Sequence, residues 1–254
     1  EVFPPKKESG IETIYSTLNE LKNLNPDFIS VTYGAGGKGV ANATTIDLCS
    51  YIKNELGTET IAHLSCLYNT KESIDRILDE LDEKGVKNIL ALRGDVNPDF
   101  AIEKDFKYAS DLTAYIMSKN RGFNISGACY PEVHQEAANM IEDIQNLKKK
   151  VDSGADHLIS QLFFDNRVFY DFLERARIAD INVPIEAGIM PVTSKNQIER
   201  MVTMCGASIP ASLSRIMQRY ESNPEALRDA GIAYAINQII DLAANGVDGV
   251  HIYT

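Results

Sequence analysis

Short runs of apolar, often β-branched residues alternate along this chain with amphipathic stretches of helical period, and no other feature constrains the fold as strongly. Nearly continuous apolar runs are typical of parallel strands that are covered on both faces. Strands are predicted at 28–33, 60–66, 88–92, 124–130, 157–162, 184–189 and 249–253, and residues 1–3 are expected to supply an eighth.

Helices are predicted between these strands, among them 11–24, 71–84, 141–151 and 226–244. Candidate N-caps are Asn69-Thr70 and Thr193-Ser194, and glycines follow helix ends as C-cap residues do at Gly85, Gly154 and Gly246. Eight strands that alternate with helices in 254 residues predict a single-domain (β/α)8 barrel over residues 1–254. The competing arrangement is an open, doubly wound sheet.

Composition narrows the class of partner. A net charge of −11 and a pI near 4.9 argue against nucleic acid, because binding phosphate needs clustered Lys and Arg. No apolar stretch approaches the ~20 residues of a membrane span, and no signal peptide is recognisable, so no membrane partner is expected. The four cysteines are widely spaced, which favours neither a disulfide framework nor a zinc site and predicts a cytoplasmic location. Both ends of the chain look trimmed.

One glycine-rich segment imitates a dinucleotide-binding motif. Residues 34–39 match G-x-G-x-x-G after a predicted strand, and Glu59 stands where the acidic partner would fall. The following helix is predicted to begin only at Thr44-Thr45, however, and a barrel loop also needs glycine for a tight turn. We therefore interpret the segment as a loop of the barrel.

Polar and ionisable residues occur where the predicted strands end. In a (β/α)8 barrel the chemistry lies at the carboxyl ends of the strands. Six strands contribute such residues: Glu1, Tyr33, His63, Arg93, Asp95, Tyr130, Glu132, His134 and Gln161. Each has a plain alternative, because Glu1 alone would be an exposed carboxylate, His63 a core histidine, and Arg93 with Asp95 an ion-paired loop. Glu132 and His134 lack a third ligand at metal-binding spacing, so no metal site is predicted.

Taken in order, these strand-end segments resemble the methylenetetrahydrofolate reductase family over essentially the whole chain. The matching segments are 1–5, 31–35, 62–66, 92–95, 130–134, 161–165, 188–192 and 251–253. The resemblance implies a (β/α)8 barrel that binds FAD and works by a ping-pong reaction. NADH or NADPH reduces the flavin and leaves. 5,10-Methylenetetrahydrofolate then takes the place of the nicotinamide, and the reduced flavin reduces it to 5-methyltetrahydrofolate. It also implies a homo-oligomer.

The resemblance assigns roles to four residues in the reaction itself. Glu1 matches the acid that opens the methylene bridge, since opening requires a proton at the departing nitrogen. Asp95 matches a catalytic aspartate beside the flavin and the pterin. Gln161 and Gln197 match residues that contact the folate, and Gln161 would serve both substrates in turn.

The resemblance also implies a set of FAD-binding residues: Thr32, Tyr33, Ala35, His63, Arg93, Gly94, Asp95, Ala109, Tyr130, His134, Asp143, Asn146, Lys149 and Lys150. Arg93 and Lys150 would neutralise the pyrophosphate, and Asp143 suits a ribose hydroxyl. One departure concerns Met201, which stands where relatives often carry an aromatic residue.

Two other functions remain open at this stage. The chain could be a folate-binding barrel that transfers methyl groups without flavin. It could also be a reductase subunit that receives electrons from a partner such as an electron-transfer protein, because family members differ in their electron donor.

Overall fold

The computed structural model describes residues 1–5, 7–33, 39–96 and 102–253. These residues form two compact units, of which unit 1 comprises Glu1–Gly127 with Asp152–Asp156, and unit 2 comprises Ala128–Val151 with His157–Thr254. No helix in the described ranges is long and apolar enough to cross a membrane.

Unit 1 alternates strands and helices in chain order. Its elements are α1 (Ile11–Lys22), β1 (Phe28–Val31), α2 (Gly39–Asn54), β2 (Glu59–Ser65), α3 (Lys71–Glu83), β3 (Asn88–Leu92), α4 (Ala109–Ser118) and the greater part of β4 (Asn124–Cys129). The strands pair in parallel in the order β1-β2-β3-β4. A doubly wound sheet would instead place later strands on both sides of the first. The strand order of unit 1 therefore excludes that alternative for this unit.

The predicted strand at residues 1–3 is a single bridge to β1. Val2 pairs in parallel with Val31. The Val2 N–H donates to the Ser30 carbonyl at 2.9 Å, and the Thr32 N–H donates to the Val2 carbonyl at 3.0 Å. This bridge places Glu1 directly beside the end of β1.

The core of unit 1 lies between the sheet and its helices. The apolar stripe predicted on α3 is buried as Ile74, Ile77, Leu78 and Leu81. Burying each such side chain contributes roughly 1.5–3 kcal/mol, which outweighs the weak intrinsic preference of a 13-residue helix. The stripe thus fixes which face of α3 packs on the sheet.

Unit 2 continues the same alternation. Its elements are α5 (Met140–Asp152), β5 (His157–Ser160), α6 (Asn166–Ile178), β6 (Ile185–Ile189), α7 (Lys195–Cys205), α8 (Ala211–Tyr220), α9 (Pro224–Ala244) and β7 (Gly249–Ile252). The pairs β5–β6 and β6–β7 are parallel. The core of this unit includes stacked Phe163 and Phe169 rings, with centroids 4.9 Å apart.

Two glycines allow close packing in unit 2. A Cβ on Gly188 of β6 would lie 2.2 Å from the Ser160 carbonyl oxygen, and a Cβ on Gly231 of α9 would lie 1.8 Å from the Val192 carbonyl oxygen. Neither position can carry a larger residue without displacing backbone.

The predicted helix caps are confirmed. Thr70 and Ser194 are N-cap residues whose hydroxyls accept from the N–H groups of Ser73 and Gln197. Gly85, Gly154 and Gly246 have positive φ angles of 71°, 115° and 70°. Several strands end earlier than predicted, and β5 ends at Ser160 rather than at Leu162.

The predicted start of the second helix was wrong. Helix α2 begins at Gly39 rather than at Thr44-Thr45. The sequence Val40-Ala41-Asn42-Ala43 contains no helix breaker, and its alanines favour extension of the helix toward the amino end. A helix therefore does begin directly at the glycine-rich segment, as it would in a dinucleotide-binding loop, and it is the strand order of unit 1 that excludes the doubly wound sheet. Residues 34–38 lie outside the described ranges.

Three of the four cysteines are buried, namely Cys49, Cys66 and Cys129, whereas Cys205 is half-buried. Burial raises the pKa of each buried thiol to about 12. None of the four forms a disulfide with another described residue.

Candidate active site

In unit 1 the structure brings the predicted acid next to a predicted cofactor residue. Glu1 Oε2 lies 3.5 Å from His63 Nε2, and the two side chains are only 9% and 6% exposed. The Val2 bridge holds Glu1 against β1, and the parallel pairing of β1 with β2 brings His63 to the same place. The interpretation of Glu1 as an exposed carboxylate is therefore excluded.

The segment after β3 carries Arg93, Gly94 and Asp95. Gly94 has a φ of 89°, and a Cβ there would lie 3.1 Å from Ser65 Cβ, so this tight turn requires glycine. The Arg93 carbonyl accepts from the N–H groups of Cys66 and Leu67 at 3.2 and 3.0 Å. The turn leaves Asp95 exposed at the carboxyl end of the strand.

The predicted cofactor residues after β1 and at α4 are partly described. Thr32 is held by its carbonyl, which accepts from the Thr45 hydroxyl at 2.9 Å. The Tyr33 hydroxyl accepts from Asn69 Nδ2 at 3.2 Å. Ala109 is buried as the first residue of α4. Ala35 lies outside the described ranges.

In unit 2, Tyr130, His134 and Asp143 lie together. The Tyr130 and His134 rings meet edge to face with centroids 4.6 Å apart. His134 Nδ1 accepts from the Glu136 N–H at 3.1 Å, so a neutral ring carries its proton on Nε2. Burial raises the pKa of Asp143, although the His134 backbone N–H, which donates to it, opposes this effect.

Lys149 and Lys150, in the lysine run on α5, make different contacts and differ in burial. Lys150 is half-buried, and its Nζ donates to the Ala128 carbonyl at the end of β4. Burial lowers the pKa of Lys150. Lys149 is exposed and donates to Asn146 Oδ1 at 3.0 Å. The two lysines that the resemblance assigns to FAD thus have different surroundings.

The two predicted folate glutamines are held by their carboxamide oxygens. Gln161 follows β5, where its N–H donates to the Cys129 carbonyl at 2.7 Å and its Oε1 accepts from the Leu162 N–H at 2.9 Å. Gln197 Oε1 accepts from both the N–H and the hydroxyl of Thr193, each at 2.9 Å. Gln197 therefore completes a capping arrangement at the start of α7, which its position three residues after Ser194 could have predicted.

A cluster of ionisable side chains on the strands of unit 2 was not predicted from the sequence. Glu186 Oε1 lies 3.3 Å from His157 Nε2, and Glu186 Oε2 lies 3.7 Å from His251 Nδ1. Burial alone would raise the pKa of Glu186, but the two imidazoles outweigh it and lower the pKa to about 2. The available signal was an acidic residue inside an otherwise apolar strand. Within the described residues, no group of three or more His, Cys, Asp or Glu is arranged to hold a metal ion.

Parallel strands that alternate with helices, with ionisable side chains at their carboxyl ends, define an enzyme of the α/β barrel class. Comparison with known proteins identifies the particular family. The family model described as methylenetetrahydrofolate reductase matches residues 1–254, and the chain belongs to that family. The predicted family and its enzyme class, an oxidoreductase, are thereby confirmed.

Individual relatives agree. The 5,10-methylenetetrahydrofolate reductase of Escherichia coli is 35% identical over 254 residues, covering 100% of this chain and 84% of the relative. The enzyme of Pectobacterium carotovorum is 34% identical with the same coverage. Methylenetetrahydrofolate reductase (NADH) 1 of Arabidopsis thaliana is 35% identical over 268 residues, and the chain spans 45% of its length.

A solved structure agrees at the level of the fold. It is an uncharacterized protein from Clostridium thermocellum that binds two copies of 5-methyl-5,6,7,8-tetrahydrofolic acid, and it superimposes with a TM-score of 0.69 at 14% identity. The match covers 99% of this chain and 87% of that chain. The predicted fold class, a (β/α)8 barrel, is confirmed.

Proposed function

We propose that this chain, as the single catalytic domain predicted over residues 1–254, reduces 5,10-methylenetetrahydrofolate to 5-methyltetrahydrofolate in a ping-pong reaction, with FAD as cofactor and a reduced nicotinamide as donor. The observation that carries the proposal is the nearly buried Glu1 carboxylate 3.5 Å from His63 in a chain of this family. A homo-oligomer in the cytoplasm remains the expected form.

The residues present fit FAD. In unit 2, a Lys150 ammonium beside Asp143 supplies a cation for a pyrophosphate and an acceptor for a ribose hydroxyl, and His134 offers an N–H on Nε2. In unit 1, Arg93 supplies a cation, and Tyr33 and His63 supply polar rings. Asn146 and Lys149 on α5 add a carboxamide and an ammonium. The remaining assigned residues that the structure describes are Thr32, Gly94, Asp95, Ala109 and Tyr130. FAD, when bound, would supply hydride transfer to the one-carbon unit.

Glu1 is proposed to hold and deliver the proton. The methylene bridge of the substrate must open to an iminium before hydride can add, and opening needs a proton on the departing nitrogen. The carboxyl group of Glu1 is screened from bulk water, so its proton passes to a neighbouring substrate atom rather than to solvent. His63 Nε2 faces Glu1 Oε2 and orients the carboxyl group.

Asp95 and the two glutamines are proposed to bind the pterin and the donor. An exposed carboxylate at the end of β3 accepts the N–H donors of a pterin ring. Because the Oε1 atoms of Gln161 and Gln197 are held by the protein, their Nε2 groups would be the ones offered to a ligand. The same fold accommodates a methylated folate in the Clostridium thermocellum protein.

Separate measurement of the two half-reactions tests this proposal. The protein is loaded with FAD, reduced anaerobically by NADH, NADPH or reduced ferredoxin in separate stopped-flow experiments, and then mixed with methylenetetrahydrofolate. We expect Glu1→Gln to leave flavin reduction intact and to slow flavin reoxidation by the folate roughly 100-fold or more, because it removes only the acid. The exposed Glu12→Gln serves as the matched control.

Equal loss of both half-reactions in Glu1→Gln would contradict the acid role. A wild-type protein that binds no flavin but transfers methyl groups would identify the flavin-free methyltransferase instead. Reduction by ferredoxin alone would identify a subunit that depends on a partner protein.

A further inference from the structure

Two consecutive residues after β2, Tyr68 and Asn69, form hydrogen bonds to the segments that follow the two strands on either side of β2. Asn69 Nδ2 donates to the Tyr33 hydroxyl at 3.2 Å, beyond the end of β1. The Tyr68 hydroxyl donates to the Asp95 carbonyl at 3.1 Å, beyond the end of β3. Neither residue belongs to the assigned ligand set, yet each contacts a member of it.

Asn69 is fixed by its own hydrogen bonds. The residue is 4% exposed. Its Nδ2 also donates to the Ser65 carbonyl at 2.8 Å, and its Oδ1 accepts from the Ser73 hydroxyl at 2.9 Å. Rotation of this amide would leave buried polar atoms unpaired, which is energetically unfavourable. The Tyr33 hydroxyl is thus held by a rigid donor.

The backbone around the pair is equally constrained. The Asn69 N–H closes a turn by donating to the Cys66 carbonyl at 3.0 Å. The Cys66 and Leu67 N–H groups hold the Arg93 carbonyl, two residues before Asp95. The turn at 66–69 is therefore tied to the segment after β3 by main-chain and side-chain hydrogen bonds.

We propose that Tyr68 and Asn69 are positioning residues, in which Asn69 orients the Tyr33 ring for the flavin and Tyr68 sets the backbone of Asp95 for the pterin. The inference rests on the proposed function, since it takes Tyr33 as a flavin residue and Asp95 as a folate residue. Tyr33 is assigned to the flavin alone, whereas Asp95 is assigned to both the flavin and the folate. The Asn69 arm is therefore measured on FAD, and the Tyr68 arm on the folate relative to FAD.

The Asn69 arm is tested by a double-mutant cycle on FAD affinity. Asn69→Ala and Tyr33→Phe each remove the same hydrogen bond, so each is expected to raise the Kd for FAD about 3- to 10-fold. The double variant is expected to be no weaker than the weaker of the two singles. The matched control is Asn19→Ala with Tyr51→Phe, which breaks another Asn–Tyr hydrogen bond of the same unit, 2.9 Å long. The control pair is expected to leave the Kd unchanged.

The Tyr68 arm is tested on the folate. Tyr68→Phe is expected to raise the KM for methylenetetrahydrofolate about 3- to 10-fold and to change the Kd for FAD less, because Asp95 is one of fourteen residues assigned to FAD but one of only three assigned to the folate. A merely structural role would instead move the FAD Kd and the folate KM together.

The outcomes are distinguishable. If wild type binds FAD but the Asn69 and Tyr33 effects add, or if Tyr68→Phe raises the Kd for FAD as much as the KM for the folate, the positioning role is overturned and the proposed function stands. If wild type binds no FAD, the proposed function fails. Should Asn69→Ala not fold, Ser73→Ala removes the partner of Asn69 Oδ1 and is expected to give a smaller increase in Kd in the same direction. No increase with Ser73→Ala would then overturn the Asn69 arm.

Discussion

Individual side chains acquire their chemistry here from neighbours that are distant in sequence. The identity of Glu1 as a candidate acid follows from the residue motif, but its burial depends on the Val2–Val31 bridge and on His63. Likewise, the lysine run on α5 is typical of a solvent-exposed helix face, but Lys150 in fact donates to the Ala128 carbonyl. Such contacts depend on packing, which a linear motif does not encode.

The different surroundings of Lys149 and Lys150 give a testable prediction. Lys150→Met keeps the apolar stem but removes the ammonium, and we expect the Kd for FAD to rise roughly 10-fold or more because a charge-assisted contact is lost. Lys148→Met, in the same run but outside the assigned site, is the control. Fluorescence titration of apoprotein with FAD measures both. Equal effects would show that only the net charge of the helix matters.

Secondary-structure elements were predictable where local chemistry decides them. Thr70 and Ser194 cap their helices as expected, because a hydroxyl before an amphipathic run satisfies the first N–H groups. The predicted start of α2 was wrong because the glycine-rich segment suggested a loop that continues to Thr44, whereas residues 40–43 favour a helix. Several predicted strands also extended one or two residues too far, because the apolar residues continue past the last hydrogen-bonded pair of the sheet.

Close packing of β6 on β5 gives a prediction at the element scale. Gly188→Ala would place a Cβ 2.2 Å from the Ser160 carbonyl oxygen, so the strands must separate. We expect the free energy of unfolding to fall by about 2–3 kcal/mol, measured by urea denaturation. Gly122→Ala is a useful comparison, because nothing lies within 4 Å of its added Cβ and its cost is limited to the strain of a φ of 70°. A stable Gly188→Ala protein would contradict the packing described.

At the scale of the whole molecule, the fold class followed from the alternation of strands and helices, and the family from strand-end residues in order. The His157–Glu186–His251 cluster did not follow, because it needs the register of three strands, which sequence pattern alone leaves undetermined. The residues of the candidate site were predicted one by one. The hydrogen bonds of Tyr68 and Asn69 to Asp95 and Tyr33 were not predicted, because both residues lie in a turn with no motif of its own.

The same cluster predicts how the protein responds to acid. A lowered carboxyl pKa means that the folded state holds ionised Glu186 more favourably than the unfolded state does. Its contribution is therefore fully present above the ordinary glutamate pKa of 4.5 and is lost as the pH falls toward about 2. We expect Glu186→Gln to lower the free energy of unfolding by up to about 3 kcal/mol above pH 4.5 and to flatten its pH dependence below.

Urea denaturation across that pH range measures the effect, with exposed Glu199→Gln as the control. An unchanged acid profile in Glu186→Gln would mean that other carboxylates govern acid unfolding.

The burial of three cysteines has a practical consequence for spectroscopy. A thiol whose pKa is about 12 is almost never a thiolate near neutral pH, and the thiolate is the form that reacts with maleimides. Cys49, Cys66 and Cys129 should therefore stay unmodified in the folded protein, which leaves the half-buried Cys205 at the end of α7 as the attachment point for a single dye. A singly labelled sample for anisotropy or single-molecule work is thus accessible without first building a cysteine-free background.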